Sequence, residues 1–332
     1  MYLPASTAPS ASSLYLTYPW IYNIDQAQLS LHLPPRQPCS PKLRSYLSKP
    51  PPWAPSCTFQ ILSDLHLELN QQYLSYEIPA CAEHLILAGD IGRLADYKHY
   101  RDFLQRQTDR FKVVLLILGN HEFYGLSIAA GLDKAWQLEQ EPCLHGRLIV
   151  LNRTRYDVPG FDVSVLGCTF WSHVPDESRE IVQAKIQDFR KITGWTVAGH
   201  NAMHDADLAW LQNEIQSIRR EAHHDKTMTR AGKPCISRPR RSILVVTHHA
   251  PSLERTSAPQ HAQNPWRFAF GTEILSQTSE GVKVWVFGHT HYSAEFRVGE
   301  VLVVSNQRGY VLPWSPATAE TAFDVRKVIR LS

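Results

Sequence analysis

Five short apolar runs in this chain each end in a polar cluster of Asp, Asn or His. TFQIL (58–62) runs into Ser63-Asp64-Leu65-His66, and HLILAG (84–89) into Asp90. KVVLLIL (112–118) leads to Gly119-Asn120-His121-Glu122, SILVVT (242–247) to His248-His249-Ala250-Pro251, and VKVWVFG (282–288) to His289-Thr290-His291. Apolar runs of this length bounded by turn residues predict buried strands. In open α/β sheets, ligands bind beyond the carboxyl ends of the strands. A single Asp after a strand means little, but five such endings predict one convergent site.

The text between these runs sets the fold class as α/β. Tyr97, Tyr100, Phe103 and Leu104 recur at helical spacing between the second and third runs. That segment is strand–helix–strand, with parallel strands and a right-handed crossover. RLIVL (147–151) and DVSVLG (162–167) are two further strands. Helices are expected over 176–190 and 202–220, the second carrying an apolar stripe of Leu208, Leu211 and Ile215. AEFRV (294–298) and VLVVS (301–305) predict an antiparallel pair, and TAFDVRKVIRL (321–331) a last strand. Residues 1–56 are Pro- and Ser-rich without a sustained period, which predicts an irregular extension ahead of one domain over 57–332. HHDKTMTRAGKPCISRPRR (223–241) is expected to be a basic, exposed insertion loop.

Composition excludes more than it assigns. A formal charge of +3 over 332 residues gives no reason to expect nucleic acid or a membrane surface as partner. Cys39, Cys57, Cys81, Cys143, Cys168 and Cys235 form no CxxC pair, so free thiols are expected rather than a zinc ribbon or redox motif. The first 20 residues lack a basic start and a continuous apolar core, and no run approaches the roughly 18 apolar residues of a membrane span. A cytoplasmic protein is the expectation.

The five endings suit metal chemistry. In Asp64-x-His66 and His289-x-His291 an extended backbone would point both side chains the same way. A carboxylate with imidazoles suits a borderline divalent cation. Asp90 after Gly89 could bridge two ions, since its oxygens can each bind one. Asn120 offers a neutral oxygen ligand, and His121 beside it a proton or hydrogen bond for a phosphate. Each pair alone would equally suit a solvated loop or a core histidine.

Read in order, D-x-H, G-D, G-N-H-E, H and G-H-x-H over residues 64–291 resemble the calcineurin-like metallophosphoesterases. The resemblance implies a four-layer α/β/β/α sandwich of two mixed sheets, with a dinuclear metal site at the strand C-terminal ends. It implies that Asp64, His66 and His291 hold one ion, that Asn120, His248 and His289 hold the other, and that Asp90 bridges them. His121 would be the catalytic, non-ligand histidine. His248 is preferred to His249 because it continues its strand directly; His249 would buttress the site or touch substrate. Two divalent ions, with Mn2+ expected and Fe, Zn or Mg as alternatives, would activate a hydroxide for in-line attack on phosphorus. Glu122 could orient a histidine or stand in a surface loop.

Departures from related branches narrow the reading. Gly89-Asp90-Ile91-Gly92-Arg93-Leu94-Ala95 lacks the second Asp and the Arg-Gly of the protein phosphatase text GDxxDRG. The purple acid phosphatase tyrosine is replaced by Arg93. Arg93, His249 and Arg308 are the candidate substrate contacts. Trp171, Tyr124 and Tyr292 could wall a pocket or pack in the core. The expected function is hydrolysis of a small phosphomonoester or phosphodiester. The alternatives are a catalytically silent scaffold on the same fold and a nuclease that would use the basic stretch.

Overall fold

The strand pattern of the sequence sorts into two facing sheets. In a computed structural model, residues 56–224, 241–278, 281–311 and 322–331 are described. The expected extension over 1–56, apart from Ser56, and most of the basic stretch over 223–241 therefore lie outside the described residues. The first sheet holds β1 (Cys57–Leu62), β2 (His84–Ala88), β3 (Val113–Ile117), β4 (Leu148–Val150) and β11 (Val328–Leu331), in the order β11-β1-β2-β3-β4. The second holds β5 (Thr154–Asp157), β6 (Val163–Cys168), β7 (Ser242–Thr247), β8 (Val282–Phe287), β9 (Glu295–Val298) and β10 (Val301–Ser305), in the order β5-β6-β7-β8-β10-β9. Both sheets are mixed. The inner strands run parallel, while β11, β5 and β9 pair antiparallel at the edges.

The period of two along each strand builds the layers. On β2, Ile86 and Ala88 face β7 residues Leu244 and Val246 across an inter-sheet core. Leu85 and Leu87 face outward, in the cluster that holds Tyr100, Phe103 and Leu104 of helix α1 (Tyr97–Thr108) and Ala135 and Leu138 of α2 (Ile128–Glu139). On the far side, Val245 packs with Leu211, Ile215 and Ile218. The order is helix, sheet, sheet, helix, a four-layer α/β/β/α sandwich. Each fully buried aliphatic side chain contributes roughly 1.5–3 kcal/mol.

The expected helices differ at their ends. The segment 176–190 is broken: α3 (Arg179–Lys185) stops at Ile186, whose backbone is extended (φ −86°, ψ 131°), and the chain restarts as α4 (Asp188–Lys191). The break turns Asp188 into the interior, which an unbroken amphipathic helix would not do. The second helix is longer than expected. α5 (Val197–His224) starts after Thr196, whose hydroxyl accepts from Gly199 N at 3.0 Å as an N-cap. β5 went unread because TRYD is a polar edge strand, with Arg155 paired to Asp157 and Glu221. A short helix, α6 (Leu275–Thr278), leads toward β8.

Register brings the strand ends level. Leu62 pairs with Leu87 and Leu87 with Leu116 in the first sheet; Val246 pairs with Val286 in the second. The sheets are then tied at that end. Ser63 N donates to Asn306 O (3.1 Å), Arg308 N to Ser63 O (3.2 Å), and Asn306 Nδ2 to Ile61 O (2.7 Å). Close approach between the sheets requires a glycine on β6. A Cβ at Gly167 would lie 2.6 Å from both Leu151 Cβ and Ile117 Cδ1. Gly167→Ala is therefore expected to lower the unfolding free energy by about 1–3 kcal/mol through overpacking, measured by urea denaturation.

Candidate metal centre

The backbone beyond the strand ends is not extended, contrary to the same-face argument for the D-x-H and H-x-H pairs. Asp64 (φ 53°), His66 (φ 49°), Asp90 (φ 53°), His289 (φ 71°) and His291 (φ 52°) all take left-handed conformations. Such conformations cost roughly 1–3 kcal/mol each and persist where surrounding structure over-determines them. Here the surroundings do so. Asp64 N donates to Gly89 O (3.0 Å), His66 N to Asp90 O (3.0 Å) and Gly288 N to His248 O (2.9 Å). His289 N donates to both Asp64 carboxylate oxygens (2.9 and 3.1 Å).

These turns aim the side chains at one another. Donor atoms of Asp64, His66, Asp90 and His291 all lie within 4.8 Å of one another, and so do those of Asp90, His248 and His289. Asp90 belongs to both groups. His66 Nε2 stands 2.9 Å from His291 Nε2 and 3.9 Å from Asp90 Oδ2. His248 Nδ1 donates to Ala88 O (3.0 Å), which points Nε2 at Asp90 Oδ1 (3.3 Å) and Asn120 Oδ1 (3.1 Å). Gly119 permits this crowding, since a Cβ there would meet His248 Nε2 at 2.7 Å.

Neighbours outside the expected ligand set orient these groups. Asp188 Oδ1 accepts from Asn120 Nδ2 (2.8 Å) and from the Tyr124 hydroxyl (2.7 Å), so the Asn120 amide must turn its oxygen toward His248. Glu68 Oε1 lies 2.8 Å from His121 Nδ1, and the Tyr310 hydroxyl lies 3.1 Å from His121 Nε2. The Tyr310 ring also packs on His66 and His291, at 4.4 and 4.5 Å. Glu122 neither orients a histidine nor reaches the surface. It is fully buried and accepts from the backbone N–H of Asp90, Ile91, Gly92 and Gly119 and from the Tyr100 hydroxyl, clamping the turn after β2.

Electrostatics separates the buried groups. Burial opposes ionisation of Asp90, but His248 and His121 outweigh it and hold that carboxyl well below the usual range. Burial pushes Asp64 up to about 6. Burial also opposes protonation of His121, yet Asp90 and the Glu68 hydrogen bond raise it to about 9. His289 is lowered by burial and the nearby His248, and His291 by burial and His66, so both are held neutral with lone pairs available. Buried carboxylates, neutral imidazoles and an oriented amide oxygen form a donor set that fits a pair of divalent cations.

Comparison with known proteins decides the family. The sequence pattern described as calcineurin-like phosphoesterase matches residues 58–293, more than half of the chain. The chain belongs to the calcineurin-like phosphoesterase family.

As a family member the chain is, in general terms, a metal-dependent phosphoesterase. It is similar to the uncharacterized protein L509 of Acanthamoeba polyphaga mimivirus, with 24% identity over 275 residues, 75% of this chain and 90% of that protein. Its fold resembles phosphopantetheinyl hydrolase from Mycobacterium tuberculosis (TM-score 0.54, 17% identity, 77% of this chain and 90% of that one). A dimetal phosphatase from Danio rerio is more distant (TM-score 0.40, 14% identity, 76% and 88% covered).

The phosphoesterase site opens into a cavity of about 490 Å³, lined at one end by Asp90, Asn120, His121, His289 and His291. The expected substrate contacts are not on its wall. Arg93 is paired side-on with Asp96, through Nε (3.1 Å) and Nη2 (3.0 Å). Arg308 donates to Leu65 O and Gln72 Oε1 and lies over the Tyr76 ring. His249 is fully buried behind the site, stacked on His289 at 4.1 Å, and neither ring nitrogen has a hydrogen-bond partner among the described residues. Trp171 is core and Tyr292 is off the cavity wall, whereas Tyr124 does line it. His248→Ala is expected to lower bound metal sharply, whereas His249→Phe, which keeps the stacked ring, retains it. Elemental analysis of the purified variants checks both.

Proposed function

We propose that this chain hydrolyses a small phosphomonoester or phosphodiester at two divalent cations. Asp64, His66 and His291 would hold one ion, Asn120, His248 and His289 the other, and Asp90 both. The observation that carries this reading is the membership of Asp90 in two donor groups at once. Mn2+ is the expected metal, with Fe, Zn or Mg as alternatives. When bound, the cations supply Lewis acidity, which acidifies a water and neutralises phosphoryl oxygens.

The protein's own groups supply the rest. His121 lies beside Asp90, and Glu68 bonded at Nδ1 favours its protonated form. As the phosphorus–oxygen ester bond breaks, the leaving oxygen takes that proton from Nε2. Glu68 fixes the ring through Nδ1, and the Tyr310 hydroxyl marks where a leaving oxygen would sit. Asp188 keeps the Asn120 oxygen turned inward.

All eight motif side chains lie at one end of the sheets, which supports catalysis over a silent scaffold. For a nuclease, Arg238 and Arg240 lie outside the described residues. Arg241 is held by Ser164 and Val163 and stands 3.4 Å from Asp157, away from the cavity. Cys57, Cys81, Cys143 and Cys168 are free thiols, which supports a reducing, cytoplasmic setting. Among the described residues no helix is long and apolar enough to cross a membrane.

Hydrolysis of p-nitrophenyl phosphate or its bis ester should require added Mn2+ and stop with chelator; activity in a metal-free, chelated sample would refute the reading. His121→Ala should lower kcat about 10²–10⁴-fold with metal content unchanged. Unimpaired turnover in that variant would remove His121 as the acid.

A further inference from the structure

The cavity is far larger than a phosphate needs, and its charge is divided. Pockets of roughly 300–1,000 Å³ hold whole small molecules, and this one measures about 490 Å³. Its acidic lining residues, Asp90 and Asp188, are buried at the metal end and already engaged. The outer wall carries Lys185 and Arg267, from segments 82 positions apart.

Both cations lack an acidic partner among the described residues. Lys185 is the last residue of α3, just before the break that turns Asp188 inward, and its Nζ lies 5.6 Å from the centre of the Trp266 ring. The Arg267 guanidinium donates to Ala262 O (2.8 Å) and Gln263 Oε1 (3.0 Å), which are neutral acceptors. Trp266 also lines the cavity and packs against the small core of Val174, Val182, Val197 and Ala269. The segment carrying Trp266 and Arg267 is tied to the end of β7. Ala250 N donates to Phe270 O and Thr272 N to Ala250 O, both at 3.0 Å. That tie sets the cationic wall relative to His248, two residues before Ala250.

We propose that this wall is a leaving-group subsite for an anion. The preferred substrate is then a phosphoester whose leaving group carries a second negative group, a carboxylate or a second phosphate, on a body that packs against Trp266. This deepens, and rests on, the phosphoesterase reading above. Uncompensated cations on the wall of a cleft focus potential and select such an anion.

The test uses Mn2+-loaded full-length protein and four phenyl phosphates that differ at the para position: hydrogen, carboxylate, phosphate and trimethylammonium. The carboxylate or phosphate member should exceed the unsubstituted one about tenfold in kcat/KM, mainly through KM. The cationic member should fall below it. Which anion ranks first separates the two sources of charge. In Lys185→Glu and Arg267→Glu, checked for unchanged melting temperature, the anion-to-neutral ratio should drop toward or below one. Equal rates across the series, or ratios that the variants leave unmoved, would overturn the proposal while hydrolysis itself upheld the phosphoesterase reading. No turnover of any member would refute both.

Discussion

A carboxylate buried where strand ends from two sheets meet must be compensated from within the protein, and Asp90 is compensated from several directions. His121 N donates to Oδ1 at 2.9 Å, His248 Nε2 stands 3.3 Å from the same oxygen, and His66 Nε2 is 3.9 Å from Oδ2. Removing a partner would weaken the compensation of a buried charge, which costs more than losing an exposed pair. The turn that carries Asp90 is held in turn by Glu122, whose carboxylate takes up N–H groups on both sides of it. Stability and chemistry are therefore coupled here: the groups that make the interior tolerable are those that can grip cations.

The strained backbone follows from the same constraint. Straight strands would carry Asp64, Asp90 and His289 past one another. A left-handed residue at each of these three positions turns the side chain back over the sheet edge, and hydrogen bonds within and between the sheets hold the turns. Asn306 adds a tie that lies outside the motifs, joining the end of β10 to β1 and to Asp324. The outer cavity wall lies away from these ties, on other segments. That wall is built from α3, its break and the loop after β7.

The candidate site was legible in the sequence to the extent that its residues follow strands. Asp64, Asp90, Asn120, His248 and His289 each sit one to three residues beyond an apolar run, so hydrophobic periodicity located them. Glu68 and Tyr310 sit on irregular segments, and Asp188 opens the short helix α4 just after a break, so no period marks them and only proximity in space reveals their part. Arg93 and Arg308 show the converse. Nearness in sequence to a motif suggested substrate contact, but Asp96 and Gln72 take up their donors. For Glu122 the sequence leaves open a role in orienting a histidine or a place in a surface loop, and a short turn sends its side chain in a third direction, to backbone N–H groups.

Alternating apolar residues and the polar endings after them determined, from the sequence alone, the α/β class, most of the strands and the motif side chains. These are local properties, written in period and position. Tertiary structure alone decided which histidine of the His248-His249 pair faces Asp90, how the ends turn, which carboxylates orient Asn120 and His121, and what lines the cavity. Each of those depends on a partner distant in sequence, such as Ala88 for His248, Glu68 for His121 or Asp188 for Asn120. A hydrogen bond across such a gap leaves no trace in either segment's own periodicity.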